Sequence, residues 1–208
     1  MRFASEESPR MFESDFLDFF SRVPWFVVPI IYVPLVVGFV WVGTISLGVS
    51  WPAAALQLLL GVAVWTLLEY WLHRTLFHWI PDTSWGPRFH FFLHGVHHEW
   101  HRDRFRLVMP PAASLPLGVF FFGITWIVGQ ALAPVLAPAW IWCFFAGVMT
   151  GYLIYDLTHY YLHHAKPRTR MGRKLRHHHM AHHHNKQFQD KKFGVSTTIW
   201  DHVFGTYE

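Results

Sequence analysis

The sequence is poor in cysteine and in charge, and each scarcity narrows the kind of protein that it can encode. Among 208 residues there is one cysteine, Cys143, so no intrachain disulfide can form. Its place in an apolar run predicts a buried thiol. Charged residues make up 14% of the chain and hydrophobic residues 52%. This balance favours a membrane protein.

Two long stretches contain no positive charge. The seventeen lysines and arginines all lie within residues 2–22, 74–106 and 166–192, and none lies within 23–73 or 107–165. Such segregation is typical of a membrane protein whose basic segments stay on the cytoplasmic side. Nucleic acid is not an expected partner, because histidines interrupt the basic segments and no recognisable nucleic-acid-binding module is present.

Four apolar runs are long enough to cross the roughly 30 Å of bilayer hydrocarbon. They extend over about 23–48, 51–72, 112–131 and 139–155. Short links join them in pairs, which predicts two transmembrane helical hairpins, over 23–72 and 112–157. Both hairpins begin and end on the basic side of the membrane, so the segments that follow them should meet at one face.

The remaining segments complete an all-α, integral membrane architecture within a single domain, 1–208. Residues 1–22 mix acidic and aromatic side chains and predict an amphipathic helix on the membrane surface. They do not have the pattern of a signal peptide. Residues 73–111 and 158–208 predict a histidine-rich helical cap in the cytosol.

Histidine is several times more frequent than in ordinary proteins, with seventeen residues. The spacing His-x-x-His-His occurs twice, and two further pairs follow apolar runs. Residues three or four apart on a helix share a face, whereas neighbours lie about 100° apart, so adjacent histidines can bind different ions. Neutral imidazole suits iron and zinc. We predict a site for two metal ions with ten candidate ligands: His73, His78, His94, His97, His98, His159, His163, His179, His182 and His183.

The histidine-rich run 177–184 leaves its register open. A single His-x-x-His more often marks a surface helix, and it is the repetition at matching span ends that favours metal. Within the run, His178 and His182 also form a helical pair. We select His179, His182 and His183 because they repeat the spacing of 94–98, and we expect the other histidines of the run to flank the site.

Six further side chains are candidates for orienting the ligands: Glu69, His90, Asp156, His164, His178 and Asp201. Glu69 precedes His73 by four residues, and Asp156 precedes His159 by three. A carboxylate that accepts the second N–H of a ligand fixes its tautomer. The alternative is that both carboxylates reach toward the membrane boundary. Arg104, Arg106 and the basic segment 166–176 suit anionic headgroups, an acidic electron donor, or a merely solvated surface.

Residues 73–208 resemble the fatty acid hydroxylase superfamily of integral-membrane enzymes, and within it the fatty acid 2-hydroxylases. The Arg106–Pro111 stretch favours the 2-hydroxylases over the sterol desaturases. The resemblance is carried by His73-x4-His78, His90–His98, Arg106–Pro111, Tyr155–His164, His179-x2-His182-His183, Phe193–Val195, Trp200-Asp201 and Phe204–Thr206.

The resemblance implies a four-helix membrane base under a cytosolic cap, two metal ions, and O2-dependent hydroxylation at C2 of a fatty acid or ceramide acyl chain. It makes the ten histidines ligands, with no separate catalytic acid or base. The metal should be iron, because zinc has no redox chemistry, although imidazole sites also accept zinc. His101 stands where relatives usually have proline, and we expect it to be a surface ring.

The expected partners are an acyl lipid, dioxygen, membrane lipids and a separate electron donor, such as cytochrome b5 or a ferredoxin with its reductase. A separate donor is expected because the sequence has no His-Pro-Gly-Gly haem stretch. Termini and metal site should be cytosolic, at a bacterial inner membrane or, in a eukaryote, at the endoplasmic reticulum.

The sequence leaves three alternative functions to consider. A sterol desaturase or methyl oxidase, or a carotenoid hydroxylase, of the same superfamily would share the histidine motifs. A membrane metal transporter should place ionisable ligands in mid-membrane, whereas these apolar runs carry no internal charge except near their ends. A metal store is disfavoured, since ten ligands for two ions would store little.

Overall fold

The computed structural model describes residue 8 and residues 10–208, and the described residues form helices and loops without a β-strand. In chain order the α-helices are α1 (Asp15–Phe20), α2 (Val27–Trp41), α3 (Trp51–Trp71), α4 (Gly86–His90), α5 (Val96–Glu99), α6 (Pro111–Ala131), α7 (Trp140–His164), α8 (Arg170–His184) and α9 (Ile199–Val203). Three π-helical turns, Val42–Ser46, Leu72–Phe77 and Phe91–Gly95, and a 3₁₀ turn, Lys186–Phe188, adjoin them.

Within the described residues, four helices are long and apolar enough to cross a membrane, as predicted. They are Val27–Ser46, Trp51–Phe77, Pro111–Ala131 and Trp140–His164, with 20, 27, 21 and 25 residues. Many of their apolar side chains are exposed, including Leu59, Val119 and Ile127, as expected where lipid rather than water surrounds a helix. The chain is therefore a membrane protein with an all-helical fold.

The second and fourth spans are longer than their apolar runs. The sequence suggested ends near residues 72 and 155, but the helical structure continues to Phe77 and His164. Three candidate ligands, His73, His159 and His163, thus lie on the span helices themselves. A helix does not need apolar side chains to continue, because its backbone hydrogen bonds are internal.

The described part of the N-terminal segment contains one short helix, α1. Residues 1–7 and 9 lie outside the described residues, and α1 has six residues. The side chain of Ser14 caps it by accepting from Leu17 N. Phe16 and Phe19 are 69% and 73% exposed, so this helix presents an aromatic surface.

Arg106 lies inside the protein rather than at a lipid-facing surface. Its guanidinium is 3.0 Å from a carboxylate oxygen of Asp18 and 3.3 Å from one of Asp103. The suggestion that Arg106 attracts headgroups is therefore wrong, because its charge is compensated by these two buried carboxylates. The pair with Asp18 instead attaches α1 to the loop before α6.

The chain forms two compact units, which are described separately. One contains Thr66–Val108, Tyr155–Glu208 and the described residues up to Trp25, and includes all the histidines. The other contains Phe26–Trp65 and Met109–Ile154. The division falls within α3 and α7, and the extent of the domain, 1–208, stays a prediction.

Within the second unit, α3 and α7 touch backbone to backbone at two glycines. A Cβ atom on Gly61 would collide with the carbonyl oxygen of Phe144, and one on Gly147 would collide with that of Leu58. Small residues that permit close helix approach are a common device of membrane helix packing. Cys143, on α7, has a free thiol and is buried, as predicted.

Gly61→Ala is expected to destabilise the protein, because the added methyl group forces the two helices apart at a cost of about 1–3 kcal/mol. The matched control is Gly123→Ala on α6, where an added Cβ meets nothing within 4 Å. That change should be neutral, or stabilising by up to about 1 kcal/mol through helix propensity. Melting temperatures of detergent-solubilised protein measure both effects, and equal values for the two variants would contradict the close contact.

Candidate metal centre

The structure brings the ten predicted ligands together in two clusters of five. In each cluster the ligating atoms all lie within 4.8 Å of one another. Cluster 1 consists of His73, His78, His94, His98 and His182; cluster 2 consists of His97, His159, His163, His179 and His183. The clusters adjoin, since the rings of His98 and His183 stack with centroids 4.3 Å apart.

The two His-x-x-His-His stretches divide their side chains between the clusters in opposite ways. In His94–His98 the outer histidines belong to cluster 1 and His97 belongs to cluster 2. In His179–His183 the outer histidines belong to cluster 2 and His182 belongs to cluster 1. In each stretch the two outer histidines share a cluster, and the middle one, which lies about 100° around the helix from its adjacent outer histidine, joins the other cluster. Each stretch thus contributes to both clusters.

A π-helical turn brings His73 and His78 into the same cluster. Five residues along a regular α-helix leave two side chains about 140° apart. Leu72–Phe77 is instead a π-helical turn, in which i→i+5 hydrogen bonds put residues five apart on nearly the same face. The spacing of this pair suggested shared ligation, but it did not indicate the π turn that makes it possible.

The spacing of the ring nitrogens fits ligands of a common ion. Nε2 of His94 is 3.2 Å from that of His73 and 2.9 Å from that of His98. In cluster 2, Nε2 of His97 is 2.9 Å from the Nε2 atoms of both His159 and His183. Two nitrogens that bind one metal ion at about 2.1 Å and at right angles lie about 3.0 Å apart. The donor sets are therefore compatible with metal.

Backbone carbonyls fix the tautomers of two cluster 1 rings. Nδ1 of His73 is 2.6 Å from the oxygen of Phe193, and Nδ1 of His182 is 2.7 Å from that of Lys191. A carbonyl only accepts, so Nδ1 donates and Nε2 carries the lone pair that faces the cluster. Lone pairs converging at such distances repel one another unless a cation lies among them. These carbonyls were not identified from sequence, because a backbone group leaves no residue-type signal.

Four of the five cluster 2 rings have no such carbonyl partner among the residues that the structure describes. The Nδ1 atoms of His97, His163, His179 and His183 are buried without a hydrogen-bond partner there. Their Nε2 atoms nevertheless converge as those of cluster 1 do. The two clusters therefore share a donor type and differ in what surrounds the donors.

The rings outside the spans are held neutral. Burial lowers the pKa of His78 to about 3 and that of His98 to about 2, with neighbouring histidines adding to the shift. Burial also lowers the pKa of His94, His97 and His179 well below the usual value. Neutral imidazole is the form that binds metal. The site is therefore ready to accept a cation at neutral pH.

Glu69 does not take the predicted position beside the ring of His73. It accepts from the backbone N–H groups of Val195 and Ser196 at 2.7 and 2.8 Å, and from the Ser196 hydroxyl. The N–H of His73 is directed at Phe193 instead. Glu69 thus holds the segment that supplies the carbonyl, which is an indirect form of the predicted role.

Asp201 and His178 also act on this segment. Asp201 is fully buried and accepts from the N–H groups of Phe193 and Gly194 at 2.8 and 2.9 Å. His178 donates to it through Nε2 at 3.0 Å. The side chain of His178 therefore faces Asp201, while His179, His182 and His183 lie in the clusters.

The other predicted orienting residues border the clusters. Asp156 is buried one helical turn before His159. The ring of His90 is 6.4 Å from that of His78, and His164 packs on Tyr160 with ring centroids 4.5 Å apart. The expected surface ring, His101, is half-buried, 4.7 Å from the ring of His184.

This fold and this geometry define a class of protein. It is an all-helical membrane protein with a polyhistidine site that can hold metal ions. The family model for fatty acid hydroxylase matches residues 58–206, a range that contains all ten clustered histidines. The chain belongs to the fatty acid hydroxylase family.

Curated relatives confirm the resemblance to fatty acid 2-hydroxylases. The chain is 41% identical over 204 residues to the dihydroceramide fatty acyl 2-hydroxylase FAH1 of Arabidopsis thaliana, covering 98% of this chain and 81% of that protein. It is 40% identical to the ceramide very long chain fatty acid hydroxylase SCS7 of Saccharomyces cerevisiae, over 93% of this chain and 48% of that protein.

A solved structure agrees with the fold. It is described as full-length Scs7p with only the hydroxylase domain visible, and it matches with a TM-score of 0.82 at 38% sequence identity. The match covers 93% of this chain and 70% of that chain. At this identity the comparison supports a common family as well as a common fold.

His182→Ala is expected to reduce the metal content of the purified protein, because it removes a cluster 1 donor and the carbonyl-anchored ring that carries it. The matched control is His177→Ala on the same helix, an exposed residue that should leave metal content unchanged. Inductively coupled plasma mass spectrometry on folded, monodisperse protein measures both. Full metal retention in His182→Ala would remove this residue from the site.

Acid is expected to destabilise the metal-free protein. The unfolded chain takes up protons on His78 and His98 below about pH 6.5, whereas the folded chain does so only near pH 3 and below. The free energy of unfolding should therefore decrease as pH falls from about 6.5 toward 3. Melting temperatures of chelator-treated protein between about pH 8 and pH 4 test this, and His78→Gln should reduce the slope. A flat profile would contradict the buried, neutral state.

Proposed function

We propose that this protein is a membrane oxidoreductase that hydroxylates C2 of an acyl chain, in a fatty acid or a ceramide. One observation carries the proposal: a relative named for 2-hydroxylation of a dihydroceramide fatty acyl chain matches 98% of the sequence at 41% identity. The two five-histidine clusters support it, since they give this chain the donors that an oxidative metal site needs.

The reaction requires a redox-active metal, because no side-chain acid or base can cleave an unactivated C–H bond. Two iron ions are our assignment, since imidazole suits iron and zinc lacks redox chemistry. Bound iron would supply the activation of dioxygen and the cleavage of the C–H bond. The ten histidines, five to an ion, would hold the metal.

The chain's own residues supply neutral donors and keep water away from them. The imidazoles supply neutral nitrogen donors, so they bind cations without bringing protons of their own to the clusters. Eight of the ten are buried, and the other two, His78 and His98, are partly buried. Burial keeps bulk water away, which limits the loss of oxidising equivalents to side reactions. The role of the protein is thus to bind, orient and exclude water.

The balanced reaction takes one acyl CH2 group, dioxygen, two electrons and two protons to a CHOH group and water. We propose that a separate electron donor, such as cytochrome b5 or a ferredoxin with its reductase, supplies the two electrons. Exposed cations on α8, including Arg170, Arg173 and Lys174, would attract an acidic donor surface.

We infer that the chain crosses the membrane as two hairpins, with its termini and both clusters in the cytosol. The links at 47–50 and 132–139 have no lysine or arginine. All lysines and arginines lie in the segments that adjoin the opposite helix ends. Candidate ligands sit at the C-terminal ends of the second and fourth spans, on that basic side. The chain would then act as one hydroxylase domain, 1–208, with 73–111 and 158–208 as its cap.

Cells that express the protein are expected to gain one oxygen at C2 of membrane acyl chains. Growth under ¹⁸O2 with fatty acids deuterated at C2 makes the test specific, because the product should carry one ¹⁸O and lose one deuterium. Lipid extraction and tandem mass spectrometry, with and without acid hydrolysis of the amide, separate free acid from ceramide products.

His97→Ala serves as the inactive control, since it removes a cluster 2 donor, and His177→Ala should keep wild-type turnover. Oxidised sterols or carotenoids with unchanged acyl chains would overturn the proposal in favour of another activity. A product oxidised at a position other than C2 would overturn the assigned position alone.

A further inference from the structure

Two of the carbonyls that orient cluster 1 come from a single strained turn; a third, that of Phe188, lies 3.1 Å from Nδ1 of His182. Lys191 and Phe193, whose oxygens accept from His182 and His73, flank Lys192. Lys192 has a φ of 59°, the only non-glycine residue with positive φ in the described chain. Such a conformation persists where the surroundings impose it. Contacts from other segments must therefore hold this turn.

Contacts with Phe188, Thr206 and Tyr207 hold Lys192 in this conformation. Its backbone N–H donates to the oxygen of Thr206 at 2.9 Å. Its ammonium group lies 4.4 Å from the ring centroid of Phe188 and 4.8 Å from that of Tyr207, and it donates to the Tyr207 carbonyl. The turn is thus held from both the backbone and the side chain.

Asp201 ties the turn to α8. Its Oδ1 accepts from Phe193 N and from the Thr206 hydroxyl, each at 2.8 Å. Its Oδ2 accepts from Gly194 N at 2.9 Å and from His178 Nε2 at 3.0 Å. Both oxygens therefore serve as acceptors, and two of the four donors are backbone groups that cannot reverse their role. The carboxylate is the common centre of the turn, the C-terminal segment and α8.

This support is specific to one cluster. Cluster 1 receives the two carbonyls of the turn, whereas four Nδ1 atoms of cluster 2 are buried without a hydrogen-bond partner among the described residues. Partners of a ligand's second nitrogen typically change metal affinity 10–100-fold when lost. Loss of the turn should therefore affect the two clusters unequally.

We propose that Asp201 is a positioning residue that holds the 191–194 turn, and through it orients His73 and His182 toward the ion of cluster 1. Removing the Asp201 carboxylate then weakens metal binding at cluster 1 and leaves cluster 2 intact. The proposal rests on the proposed function only in that both clusters bind metal.

The test is zinc binding by the full-length protein in detergent, with wild type compared to Asp201→Asn. The amide is nearly isosteric but replaces one acceptor oxygen by a donor that faces an N–H group. Equilibrium dialysis over a range of free Zn²⁺, with metal counted per folded chain, should give two ions for wild type. In the variant one site should weaken about 10–100-fold and the other should keep its affinity.

Asp103→Asn is the matched control, since Asp103 is also buried, at 1% exposure, but pairs with Arg106. It should keep both zinc affinities. A second comparison remains informative if Asp201→Asn does not fold: Thr206→Val loses the hydroxyl that donates to Asp201, and Thr206→Ser restores it. The first should weaken one site, and the second should bind zinc as wild type does.

The visible spectrum of the Co²⁺-substituted protein gives a readout that general destabilisation does not mimic. One of two cobalt signatures should disappear in Asp201→Asn at limiting metal. Unchanged affinities in Asp201→Asn and Thr206→Val, or equal weakening of both sites, would overturn the proposal. Wild type that binds two ions but oxidises no lipid would refute the proposed function alone, whereas wild type that binds no zinc would refute both.

Discussion

Convergence of ten imidazole nitrogens in a buried volume is the constraint on which the rest of this structure depends. Nε2 atoms lie 2.8–3.2 Å apart, and where Nδ1 carries the proton their lone pairs face one another. Protonation would relieve this repulsion in water, but burial lowers the pKa of rings outside the spans, such as those of His94 and His183, and disfavours it. A metal cation removes the repulsion without protonation, since it attracts the lone pairs and binds neutral rings.

Holding flexible rings in such an arrangement requires support that extends beyond the ligands. The carbonyls of Lys191 and Phe193 anchor one ring each, and the buried carboxylates of Glu69 and Asp201 anchor the segment that supplies them. Acidic groups that sequence spacing assigns to histidine ligands can thus act on backbone instead. The ligand ring is still oriented, but a backbone carbonyl stands between the carboxylate and the ring.

Position within a membrane protein suits this site to an apolar substrate. His73, His159 and His163 lie near the C-terminal ends of the second and fourth candidate span helices, so the same helices carry both ligands and long apolar segments. Membership of the fatty acid hydroxylase family agrees with the acyl substrate proposed above.

The sequence by itself determined the four apolar helices and predicted that ten histidines converge, because both follow from composition and from helical periodicity. It did not determine which five histidines form each cluster. It did not determine the π turn at Leu72–Phe77, the burial of Arg106 with Asp18, or the direction of Glu69 and His178 toward the C-terminal segment. Those features depend on contacts between residues up to 127 positions apart and on backbone groups that every residue shares. Only the tertiary structure decides them, since periodicity describes one helix and not its partners.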